Sequence, residues 1–149
     1  MGDAEVLALF RQAMKDNDAA AMREGLDQLL GLSDGAGLSA EEEYRVRHPD
    51  YAMEMPQTNE RIRGRDAMRS MQDTFPNPPT ITLRRVVGCG HVWVIEGVND
   101  YDGDVWHVAL ILELDDQGLI VRDTRYYGRR SEPPEWRSRW VEPLQSPLD

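Results

Sequence analysis

TITLRRVVGCGHVWVIEGVNDYDGDVWHVALILELDDQGLIVRDTRYY, residues 80–127, decides the fold. Four runs within it alternate in polarity: Thr80 to Val87, His91 to Tyr101, Val105 to Leu114 and Leu119 to Tyr127. A period of two marks strands, because successive side chains leave opposite faces of a sheet. Gly88-Cys89-Gly90, Asp102-Gly103-Asp104 and Asp115-Asp116-Gln117-Gly118 separate the runs. These are short enough for hairpins and predict an antiparallel meander. The third run is apolar on both sides, with Trp106, Val108, Leu110 and Leu112 on one and Ala109 and Ile111 on the other. Such a strand is covered on both faces.

Working backward from the meander, the periodicity becomes helical. Val6, Leu7, Phe10, Ala13 and Met14 form one apolar stripe behind an Asp3 cap, and Met22, Leu26, Leu29 and Leu30 form a second behind Asp18. Arg65 to Gln72 predicts a third helix after Gly64, with Asp66 at its positive end and Pro76, Pro78 and Pro79 barring its continuation. Between the second and third helices, Tyr51-Ala52-Met53-Glu54-Met55 alternates and stops at Pro56, as a short strand does. Residues 31–40 are glycine-rich and predict a loop. Helices grouped ahead of strands give an α+β fold. With three helices able to cover one face of the sheet, the other is expected to be a dimer surface.

The chain has 149 residues, one cysteine and a net charge of −10, which predicts a single domain over 1–149, with 143–149 as a flexible tail. Residues 1–43 hold ten acids against three bases, so most of the acidity belongs to the N-terminal segment. Glu41-Glu42-Glu43 reads as a solvated face or, alternatively, as a contact for a basic partner. A surplus of acid argues against nucleic acid as partner. No apolar run reaches the length of a membrane span and no signal peptide is evident, so the expected setting is cytoplasmic, with no membrane partner. Cys89 has no partner for an internal bridge, which agrees with a reduced compartment. Lys15 is the one lysine among 17 basic residues, a usage that suggests a GC-rich bacterial genome.

Several segments resemble the SnoaL-like branch of the nuclear-transport-factor-2-like superfamily. They are His48-Pro49-Asp50 leading into Tyr51 to Pro56, Ile62-Arg63-Gly64-Arg65-Asp66 opening a helix, Gly118-Leu119-Ile120 ending in Tyr126-Tyr127, and the tail from Pro134 to Glu142. The resemblance implies a cone-shaped half-barrel, three N-terminal helices packed on a curved antiparallel sheet, with a pocket open at one end and a homodimer through the sheets. It says little about reaction, since that superfamily holds isomerases, cyclases, epoxide hydrolases, dehydratases and proteins without catalysis. Matched to its steroid isomerases, the positions of the base and of the two oxyanion donors hold Met55, Phe10 and Leu110. Proton abstraction beside a carbonyl needs such groups, so that mechanism is not expected. The acid/base pair of the SnoaL-type cyclases falls on Ile111 and Arg125, so that pair is missing too.

Candidates for chemistry remain on the last hairpin. A four-residue turn at 115–118 sets Leu110 opposite Asp123, Val108 opposite Arg125 and Trp106 opposite Tyr127. That register, which the family pattern favours, sends Asp123, Arg125 and Tyr127 into the pocket and His107 to the far face. A turn one residue shorter reverses the faces. Asp123 and Arg125 read either as a self-satisfied ion pair or as a general base beside an anchor for an anionic or carbonyl group, with His107 a possible proton shuttle. Phe10, Met53, Met55, Trp93, Trp106, Leu110 and Tyr127 are the candidate pocket wall for a flat apolar ligand, or else core. No metal or cofactor motif is present. Trp136 and Trp140 are expected to staple the tail to the body or to a partner subunit, and Arg129, Arg130, Arg137 and Arg139 to pair with Glu132, Glu135 and Glu142.

Three functions follow: binding of a small, largely apolar molecule in the cone; a cofactor-independent isomerase, cyclase or hydrolase with Asp123 as base; or a non-catalytic dimerisation module. A void of about 300 Å³ or more beside Asp123 favours the first two.

Overall fold

The computed structural model of the chain describes residues 2–32, 34–75 and 77–144. Helix α1 spans Asp3–Asp16 and stops at Asn17, whose φ of 53° reverses the chain. Helix α2, Ala19–Leu29, is capped by Asp18, which accepts from the Ala21 amide at 3.1 Å. Both bury their predicted stripes, including Val6, Phe10, Met22 and Leu26.

The predicted third helix is in fact the fourth. Ala40–Val46 forms a further helix, α3, where the glutamates were read as a solvated or docking segment. Ser39 accepts from the Glu42 amide at 3.3 Å, as the spacing Ser39-x-x-Glu42 allows. Glu41 pairs with Arg45 and Arg69, and Glu43 with Arg47, so two of the three acids bind within the chain. Strands β1 (Arg47–Met55) and β2 (Glu60–Arg63) follow, then α4 (Arg65–Thr74). Strand β2 is an element that the polarity pattern does not predict. Helix α4 ends before the prolines, of which Pro76 lies outside the described residues.

The meander is present as β3 (Thr80–Cys89), β4 (Val92–Tyr101), β5 (Asp104–Leu114) and β6 (Ile120–Arg129). The six strands lie in the order β2-β1-β6-β5-β4-β3, a curved, unclosed sheet under the helices. One pairing departs from the antiparallel expectation: β1 and β6 run parallel. Parallel neighbours need a long crossover, and β2, α4 and the first three strands of the meander supply it. Along this pair the offset changes between Arg47 and Ala52. Pro49 sits in that interruption, where its missing N–H costs no ladder bond.

The core lies between helices and sheet, where Phe10, Met22, Tyr51, Met53, Met68 and Trp93 are almost wholly buried. Burial of a Phe or Met side chain stabilises by roughly 1.5–3 kcal/mol. Gly97 has no room for a side chain, since a Cβ there would stand 2.7 Å from the Thr82 carbonyl oxygen. Gly118, at φ +91°, turns the last hairpin against α1.

The hairpin register differs from both predicted alternatives. Leu112 faces Asp123, Leu110 faces Arg125 and Val108 faces Tyr127, with an irregularity between Glu113 and Leu114. Relative to the favoured register the slip is two residues, and an even slip keeps each side chain on its face. Asp123, Arg125 and Tyr127 therefore still point to the concave side.

The tail differs more. Trp136 and Trp140 are 73% and 71% exposed, so neither staples the tail to the body. Arg137 and Arg139 lie over those two rings, while Arg129 pairs with Asp104 and covers Trp106. Of the expected flexible tail, residues 145–149 lie outside the described residues.

Candidate functional site

The concave face and the helices enclose a cavity of about 830 Å³. Leu26, Met53, Met68, Ile95, Leu110 and Leu112 supply its apolar wall. It opens to solvent where exposed Arg61, Glu60, Phe75 and Pro78 line it. This volume is within the range of small-molecule sites.

Two polar groups interrupt the wall. The first is built on β6, where Asp123 and Arg125 are two residues apart and so share a face. Arg125 donates from Nε to Asp123 Oδ1 at 2.8 Å and from Nη2 to Oδ2 at 3.2 Å. The Tyr51 hydroxyl, from β1, donates to Asp123 Oδ2 at 2.5 Å. Asp123 is 2% exposed, and all three contacts are made away from bulk water. Arg125 also approaches Tyr127 Oη from Nη1 at 3.4 Å, which leaves the phenolic hydrogen free to donate. Gln57, in the β1–β2 turn, accepts from the Tyr127 amide and fixes that end of the strand.

The electrostatics follow from burial. Desolvation, reinforced by the Asp123 charge, pushes the Tyr51 phenol well above its ordinary value, so it stays a donor. Desolvation pulls Arg125 down, but Asp123 and the two tyrosines outweigh it and the guanidinium is held firmly charged.

The second group joins α3, β1 and α4. Arg47 donates to Gln72 Oε1 at 2.9 Å and to Glu43 Oε1 at 3.2 Å, while Gln72 Nε2 donates to Glu43 Oε2 at 3.1 Å. All three residues line the cavity. The Arg47 guanidinium lies 4.9 Å from the centroid of the Tyr51 ring, so Tyr51 touches both groups. Sequence reasoning missed this group, although Glu43-x-x-x-Arg47 is the spacing of a helical ion pair.

Of the predicted wall, Met53, Met55, Leu110 and Tyr127 line the cavity. Phe10 and Trp93 do not: both are fully buried in the core, where Phe10 packs against Gly25 and Trp93 Nε1 donates to the Gly90 carbonyl. Trp106 also stands outside the lining, edge-on to Tyr127 with Arg129 over its ring. His107 opens onto the convex face, in a shallower groove with Glu96 and Tyr126, and is separated from Asp123 by the sheet itself. Asp123 and Arg125 are brought together at the wall and His107 is not. Among the described residues no group of three His, Cys, Asp or Glu is placed to hold a metal.

No protein-family model matches the chain, and no curated protein matches it either. Solved structures do. A nuclear-transport-factor-2-like protein of unknown function from Burkholderia xenovorans superposes with a TM-score of 0.70 at 29% identity, covering 82% of this chain and 94% of that one. The chain is a nuclear-transport-factor-2-like protein. A protein of Kribbella flavida, whose description as a ketosteroid isomerase is itself an inference, superposes at 0.69 with 25% identity over 98% of this chain and 94% of its own. A steroid delta-isomerase from Pseudomonas aeruginosa gives 0.57 at 18% identity over 74% and 79%, a likeness of fold alone. The cone of this nuclear-transport-factor-2-like chain is thus common ground, and its own side chains must say what it holds.

Proposed function

We propose that the protein is of the SnoaL-like branch and binds a small, largely apolar molecule in the concave cavity, with a carboxylate or carbonyl head on Arg125 and Tyr127. The cavity itself carries this reading: about 830 Å³ of mostly apolar space with those two donors on one wall. Asp123 braces Arg125 through two of its nitrogens and leaves Nη1, beside the Tyr127 hydroxyl, as the forward edge. A planar guanidinium held in this way suits a planar head group.

The steroid isomerase chemistry named for two structural neighbours does not carry over, because Met55, Phe10 and Leu110 offer neither base nor oxyanion donor. Asp123 is a weak candidate for the base in any cofactor-independent isomerase, cyclase or hydrolase reaction. Both of its oxygens already accept hydrogen bonds, and taking a proton would dismantle its pair with Arg125.

Calorimetric titration with 2-naphthoic acid tests the binding reading. Saturable one-to-one binding is expected, weakened by Leu110→Trp or by Met55→Trp, each of which puts a bulkier ring into the cavity wall. Absence of binding, or binding indifferent to both substitutions, overturns it.

We also infer a homodimer through the convex face. Val87, Val92, Val94 and Tyr126 are exposed there, and in this reading the Arg85–Glu96 and Arg122–Glu113 pairs beside them stay at the solvent-accessible rim. An apolar centre with a charged rim is the usual anatomy of an interface. Sedimentation should give a dimer that Val94→Glu converts to monomer, and a monomeric wild type rejects the inference.

A further inference from the structure

We propose that the cavity holds a ligand with two polar ends, and that Glu43, Arg47 and Gln72 form the subsite for a neutral hydroxyl or carbonyl opposite the anionic or carbonyl head on Arg125. This rests on the binding function proposed above and adds the chemical class of the ligand's far end.

Hydrogen-bonding capacity gives the first argument. Arg47 Nη1 and Nη2 each carry two hydrogens, and their bonds to Gln72 and Glu43 use one apiece. Gln72 Nε2 likewise has a second hydrogen beyond the one given to Glu43. Each Glu43 oxygen keeps a spare lone pair. The group thus presents both donors and acceptors to the cavity, although its charges cancel. A hydroxyl, which donates and accepts, matches it; a second carboxylate meets Glu43 and is repelled.

Placement gives the second. On β6 the neighbours of Arg47 and Met53 are Ile120 and Asp123, three residues apart, or about 10 Å of strand. Tyr51 spans the interval, with its ring against Arg47 and its hydroxyl on Asp123. Met53, Leu112 and Ile95 supply the apolar wall of the same cavity. A rigid body of about two fused rings bridges two such groups, and a flexible chain would do so at a larger entropic cost.

Burial gives the third. The Arg47 and Glu43 side chains are 3% and 12% exposed, yet both line the cavity. A buried polar cluster facing apolar space discriminates strongly, because a ligand without the matching group leaves its donors and acceptors short of partners.

The test compares 6-hydroxy-2-naphthoic acid with 2-naphthoic acid by calorimetry in each protein. In the wild type the hydroxy acid is expected to bind at least tenfold tighter. In Gln72→Leu that advantage should fall to less than threefold, and Gln72→Asn, which keeps the amide but shortens its reach, should show the same loss if the leucine variant does not fold. Equal affinities in the wild type, or a preference that survives in the folded variant, overturns the subsite. Failure of both acids to bind at all instead overturns the function on which it rests.

Discussion

Two ion pairs on β6 lie one residue apart and face opposite ways. On the convex side Arg122 meets Glu113 at 2.5 and 2.9 Å, with side chains 48% and 31% exposed. On the concave side Arg125 meets Asp123 at 2.8 and 3.2 Å, with side chains 19% and 3% exposed. Chemistry and geometry are nearly the same, so solvent makes the difference. Water screens the outer pair to a marginal contribution. The inner pair carries a desolvation cost that its mutual attraction and the Tyr51 hydroxyl must offset.

The sharpest break of this comparison is Asp123→Leu, which leaves Arg125 charged and unpaired. It should lower unfolding free energy by about 3–5 kcal/mol in urea titration. Restoring neutrality with Asp123→Leu combined with Arg125→Met should recover most of that loss, and a double variant no more stable than the single one would mean the pair is not the issue. Next in size, Tyr51→Phe removes one hydrogen bond to a charged group and should cost about 1.5–3 kcal/mol. It should also change the alkaline limb. Because the folded phenol holds its proton more tightly than an unfolded tyrosine, its contribution is complete below the unfolded value of about 10 and is lost as pH rises above it. The difference in stability between wild type and Tyr51→Phe should therefore shrink above pH 10. The smallest effect belongs to the convex pair: Glu113→Gln should cost less than about 1 kcal/mol and become undetectable in molar salt.

The two faces also differ in how far they could be read from sequence. Period-two alternation leaves two registers of opposite parity, and the family pattern, by favouring the four-residue turn, puts Asp123, Arg125 and His107 on their sides; that placement tolerates a register two residues off because faces depend only on parity. Cross-strand partners depend on the turn and on the irregularity at Glu113/Leu114, which no pattern of polarity reports. Phe10 and Trp93 were assigned to the pocket wall by chemistry alone, but whether a large apolar residue fills the core or borders a void depends on the packing of neighbours on other elements. The second polar group was missed because α3, with seven residues, is too short to show periodicity, and because Glu43, Arg47 and Gln72 come from three elements. The exposed Trp136 and Trp140 show the converse, since nothing in their spacing says that no surface of the same chain receives them.

The comparison of faces can be put directly to the protein in solution. A heteronuclear magnetic resonance titration with 2-naphthoic acid should produce saturable shifts at Leu110, Arg125 and Tyr127 on the concave wall, while His107 and Tyr126 on the convex side stay silent. Shifts confined to His107 and Tyr126, or none at saturating concentration, would contradict the assignment of the concave cavity as the binding site.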